Sequence, residues 1–98
     1  EWSDAHFYAN EPFLISNYDR YGASRYIRRS SPVFIGEFKQ TDAGTQGSLR
    51  AAIGEACFLV GAENSQDMVK RLAYSPILGN TNYPFQRYPA ILLIMEKR

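Results

Sequence analysis

The run Val33-Phe34-Ile35-Gly36-Glu37-Phe38 sets one carboxylate at the end of an otherwise apolar stretch. Continuous β-branched and aromatic residues mark a strand buried on both faces, the pattern of a parallel sheet. A charge inside such a run cannot be hydrated, so Glu37 is expected where the strand emerges. The C-terminal ends of parallel strands are where α/β folds build their active sites, and a carboxylate there has the chemistry of a nucleophile, an acid or a base. Gly36 has no side chain and lets a substrate or a neighbouring backbone come close. A strand-end Glu that meets water or caps a helix is the competing structural reading. His6 and Tyr8 alternate along the short aromatic run Ala5-His6-Phe7-Tyr8. On a strand that spacing aims both side chains to one side. Each also has an ordinary reading, as a packed, hydrogen-bonded His and a core aromatic.

The chain that must position these groups is 98 residues long, enough for one small domain at most. Its net charge of +1, seven Tyr and six Phe give a globular composition rather than a disordered one. Cys57 is the one cysteine, which rules out an intrachain disulfide and leaves the redox compartment open. It lies among apolar residues and reads as an inert buried thiol. With one His and one Cys, a zinc site would need mostly carboxylate ligands, so neither a metal nor another cofactor is expected. No apolar run approaches the roughly 20 residues of a membrane span. The chain opens Glu1-Trp2-Ser3, with neither an initiator Met nor a signal-peptide pattern, and is expected to be a fragment.

Element by element, Ala5 to Tyr8 reads as a strand, and Asn10 caps a helix from about Pro12 to Tyr21, with Gly22 as its stop. The loop Ala23 to Pro32 leads into the buried strand, and Thr41 to Gly47 forms a second loop. Ser48 caps a helix over Leu49 to Glu63. There Leu49, Ala52, Ile53, Ala56, Leu59 and Val60 make one apolar face that Ala51, Phe58 and Ala62 widen, so cover on more than one side is expected. Arg50, Glu55 and Glu63 mark its wet edge. A further helix is expected from Asn64 or Ser65, with Met68, Val69, Leu72, Ala73 and Ile77 on one face and Pro76 ending it. Gly79 to Asn82 is turn material, and Ala90 to Met95 reads as a last interior strand. The order β-α-β-α-α-β with non-alternating strands predicts a parallel sheet in an α/β fold. Such a piece leaves two sheet edges unpaired and would be unstable without more of its fold or other subunits.

Asp4-Ala5-His6-Phe7-Tyr8, Val33 to Phe38, Ser48 to Ala56 and Ala62 to Lys70 together resemble the α-L-arabinofuranosidases, retaining glycoside hydrolases with a (β/α)8 TIM barrel. The resemblance runs from about Asp4 to Asn82. It implies that residues 1–98 form the C-terminal part of the catalytic barrel, about strand 6 to strand 8, without its N-terminal strands. It further implies that Glu37 is the catalytic nucleophile and that His6 and Tyr8 line the sugar pocket. The substrate would be an arabinose-containing oligosaccharide or polysaccharide, cleaved at terminal non-reducing α-L-arabinofuranosides. The family's acid/base Glu lies in an Asn-Glu pair upstream of this sequence. Asn10-Glu11 is not its equivalent, because a carboxylate at a helix start is favoured by the helix dipole alone. The family's usual plant-polysaccharide substrates point to an extracellular setting. Departures from the pattern fall at Ala5, where an acidic residue is more usual, at Lys39, where small residues are usual, and over Tyr83 to Pro89.

Two rival readings remain at this point. Arg20 to Arg29 interleaves four arginines with two tyrosines, a phosphate-and-stacking pattern for single-stranded nucleic acid. A charge of +1 gives no broad basic field, so no nucleic-acid partner is expected. The second rival is a carbohydrate-binding remnant without catalysis.

Overall fold

The computed structural model describes residues 1–22, 31–42, 44–45, 47–80 and 92–94. Along the chain these form β1 (Ser3–Ala9), α1 (Glu11–Ser16), β2 (Val33–Gln40), α2 (Leu49–Asn64), β3 (Val69–Tyr74), β4 (Leu78–Asn80) and β5 (Leu92–Ile94). The first three strands make one parallel sheet with β2 in the middle, and β4 and β5 make a separate parallel pair. This is the expected α/β class. No described helix is long and apolar enough to cross a membrane. The segment Ala23 to Arg29 and the departure at Tyr83 to Pro89 lie outside the described residues, as do parts of the expected last strand.

Both helices start where their caps predict. Asn10 Oδ1 accepts from the Phe13 amide at 3.0 Å, and Ser48 Oγ accepts from the Ala51 amide at 3.2 Å. The first helix is shorter than expected and ends at Ser16. Asn17 turns its amide onto the Phe13 carbonyl at 2.9 Å, and the chain then runs in short turns to Gly22.

The expected helix after Asn64 is instead β3. Ser65 ends α2, and the Val33 amide bonds the Met68 carbonyl at 2.8 Å, docking the next residues onto β2. The free ladder edge of β2 decides the matter, because burying it unpaired would orphan a row of backbone groups. The misleading helical spacing has an identifiable cause. Across the ladder Val33 faces Val69 but Phe34 faces Arg71, so β3 carries an extra residue at Lys70. That bulge resets the alternation and lets Val69, Leu72 and Tyr74 all face the core, giving a three-residue step inside a strand. Gly79 and Asn80 likewise belong to a strand rather than a turn.

The core lies between the sheet and its helices and is built from Leu14, Val33, Ile35, Phe38, Phe58, Ala62 and Val69. Phe58 on α2 bridges two strands, with its ring 5.2 Å from that of Phe7 and 5.7 Å from that of Phe38. The buried face of α2 is a stripe of small residues and one Phe: Ala51, Gly54, Phe58, Gly61 and Ala62. The aliphatic face expected to be covered is open, with Leu49 77% exposed and Ile53, Leu59 and Val60 also exposed. Small residues win the inner side because α1 and its following turn pass so close. A Cβ at Gly61 would run into the Tyr18 carbonyl, and one at Gly54 would come within 2.9 Å of the Glu11 side chain. Gly61→Ala is therefore expected to destabilise the protein by about 3 kcal/mol despite its better helix propensity. Gly54→Ala, whose nearest contact would be a side-chain carbon of Glu11 rather than a backbone carbonyl, should cost visibly less. Urea midpoints of the two variants measure the difference.

Candidate functional site

A second bulge, in β2, builds the site. Ala5 faces Ile35 but His6 faces Glu37, so Gly36 is an extra residue relative to β1. Toward β3, Ile35 faces Leu72 and Phe38 faces Tyr74, the same two-for-one step. Ile35 and Phe38, three apart, consequently both enter the core with no exposed surface. Glu37, between them, is turned to the opposite face of the sheet and stays 39% exposed. The strand does not end at Glu37 as expected but continues to Gln40. The charge is hydrated because the bulge turns it outward and not because the strand stops there.

β1 is regular here. Ala5, Phe7 and Ala9 pack on the core, so Asp4, His6 and Tyr8 share the other face with Glu37. His6 Nδ1 stands 4.0 Å from Glu37 Oε2, and on its other side His6 Nε2 lies 3.1 Å from Asp4 Oδ2. Thus two of the three expected site residues are adjacent, and Tyr8 lies one strand repeat beyond His6, opposite Lys39 in the ladder. Asp4 was not among the expected site residues. Its signal was the same alternation that singled out His6 and Tyr8.

Two other residues sit differently from expectation. Ala5 packs against the core, so its departure from the family pattern falls on the face away from Glu37. Lys39 is not a rim residue: it is 3% exposed, with its ammonium 5.8 Å from the centre of the Tyr74 ring. Burial pushes its pKa below the ordinary lysine value, and the nearby Glu55 charge partly restores it. Glu55, expected at the wet edge of α2, is part-buried. One of its oxygens accepts from the Gln40 amide at 2.8 Å and from the Tyr74 hydroxyl at 2.9 Å. Burial, then the Glu55 hydrogen bond and charge, drive the Tyr74 phenol well above its usual range. This cluster fastens the outgoing end of β2 to α2 and β3.

Glu11 pairs with Arg50 of α2, a role fully accounted for by helix packing. Arg20, the first of the interleaved arginines, lies over the Phe7 ring at 5.5 Å and hydrogen-bonds Asn17. Cys57 is partly buried. A groove of about 390 Å³ between α2 and β3, floored by Leu59, Ala62, Val69 and Leu72, has neither His6 nor Glu37 in its lining.

No family model matches the chain. Among curated proteins it is 38% identical over 84 residues to Alpha-L-arabinofuranosidase 1 of Arabidopsis thaliana, covering 84% of this chain and 12% of that protein. It is 34% identical over 83 residues to the Extracellular exo-alpha-L-arabinofuranosidase of Streptomyces chartreusis, covering 85% of this chain and 9% of that one. With Alpha-L-arabinofuranosidase A of Aspergillus niger the figures are 31% over 77 residues, 79% and 12%. Among solved structures, an arabinose-bound GH51 α-L-arabinofuranosidase superposes with a TM-score of 0.77 at 23% identity, over 92% of this chain and 16% of that one. This last likeness shows the fold. Over most of its own length the chain is thus a relative of the α-L-arabinofuranosidases, corresponding to 9% to 12% of the three curated proteins named.

Proposed function

We propose that the protein to which these 98 residues belong hydrolyses terminal non-reducing α-L-arabinofuranosides with retention of configuration, and that Glu37 is its nucleophile. The observation that carries this reading is the bulge at Gly36, which turns Glu37 out of the core to a place 4.0 Å from His6. The similarity to arabinofuranosidases supports the choice of sugar. In this reading β1, β2 and β3 are strands six to eight of a (β/α)8 barrel, and residues 1–98 are part of its catalytic domain. The open edges of β1 and β3 then pair with the remaining strands.

The mechanism follows from the groups on that face. The Glu37 carboxylate attacks the anomeric carbon and forms a glycosyl ester as the bond to the leaving oxygen breaks. A second carboxyl group, roughly 5–5.5 Å from the first, protonates that oxygen and then takes a proton from the water that releases the sugar. His6 and Tyr8 line the pocket and hydrogen-bond the sugar. Glu11 is engaged by Arg50 and is not the second carboxyl. The natural substrate is an arabinose-bearing oligosaccharide or polysaccharide, met outside the cell.

The intact protein is expected to release the aryl group from an aryl α-L-arabinofuranoside, with the first sugar product keeping its anomeric configuration. The isolated 98-residue chain should give no turnover. Robust turnover by the isolated chain would show that the acid/base group lies within it and overturn that part of the reading.

A further inference from the structure

We propose that Asp4 is a positioning residue for this site: it fixes the ring of His6 and decides which imidazole nitrogen faces Glu37. The inference rests on the functional reading above and goes beyond it. Asp4 Oδ2 is 3.1 Å from His6 Nε2, and a carboxylate only accepts hydrogen bonds, so that nitrogen carries the proton. In the neutral ring Nδ1 is then the acceptor, and it is the atom directed toward Glu37 Oε2 at 4.0 Å. Asp4 thereby gives His6 an acceptor beside the nucleophile, where a sugar hydroxyl can donate to it.

The bulge residue makes room for this pair. A Cβ on Gly36 would stand 2.5 Å from Asp4 Oδ1 and 2.9 Å from His6 Nε2. Those contacts are shorter than a side chain tolerates, so only glycine lets Asp4 and His6 meet above β2. The one residue that reverses the facing of Glu37 is also the one that leaves space for the group orienting its neighbour.

The test uses Asp4→Asn in the intact protein, alone and combined with His6→Asn. Asparagine keeps the size of Asp4, but its amide can donate as well as accept and no longer dictates the tautomer. Asp4→Asn should lower kcat/KM for an aryl arabinofuranoside by about tenfold or more. In the His6→Asn background the same change should matter by less than about twofold, because Asp4 acts through the imidazole. Equal losses in both backgrounds, or no loss in either, would overturn the inference. A general folding defect falls under the first of these outcomes, since it would act in both. If Glu37→Gln keeps wild-type turnover, the functional reading falls and takes this inference with it. Equal losses with a dead Glu37→Gln remove the inference alone.

Discussion

Glu37→Gln is expected to reduce arabinofuranoside turnover by the intact protein about a thousandfold or more while leaving sugar affinity nearly unchanged. The amide matches the carboxylate in shape but cannot displace a leaving group at carbon, and losing a nucleophile costs rates on that scale. Geometry argues against an indirect loss. The side chain is turned away from the core, so the exchange removes no packing and leaves Ile35 and Phe38 where they are. The same variant separates the enzyme from a sugar-binding remnant, which has no turnover to lose. Kinetics with an aryl arabinofuranoside, alongside binding measured calorimetrically, read both quantities. A wild-type rate in Glu37→Gln would end the nucleophile assignment.

Glu55→Ala should have the largest effect on stability, lowering it by about 3 kcal/mol or more. Its carboxylate serves the Gln40 amide and the Tyr74 hydroxyl, and it is the anion that offsets the buried charge of Lys39. Removing one member of a buried charged set is strongly destabilising because the others keep their desolvation cost. Tyr74→Phe, which gives up one hydrogen bond and keeps the ring stacked edge-on against Phe38 at 5.3 Å, should cost about 1 kcal/mol. Chemical denaturation of the two variants compares them. If Glu55→Ala were as mild as Tyr74→Phe, the cluster would not be what fastens β2 to α2.

The class of the fold was legible because two of its signals are local. Asn10 and Ser48 announce helix starts by hydrogen-bonding chemistry, and Val33 to Ile35 opens a continuous apolar run, although only one face of that strand is fully buried and the other carries the half-exposed Glu37. The shared face of His6 and Tyr8 was legible through their alternation, and the strand then adds Asp4 to it. What misled were the places where count and period part. Val69 and Leu72 sit three apart, as on a helix, because Lys70 bulges out of β3. The open face of α2 was misassigned for a different reason. Its aliphatic residues outweigh Ala51, Gly54 and Gly61 on any hydrophobicity scale, yet only the small ones fit beneath Tyr18 and Glu11. Glu55 looked like a solvated helix residue because its partners, Gln40 and Tyr74, are remote in sequence.

The extra residue in β2 also makes the facing of the strand a matter of arithmetic. Upstream of Gly36 the odd-numbered positions Val33 and Ile35 are interior, and downstream the even-numbered Phe38 is. Straighten the strand through that residue and every later side chain changes sides at once, driving an acid into hydrocarbon and a phenyl ring into water. What keeps the two halves of β2 in phase is thus the kink itself and not the alternation of its letters.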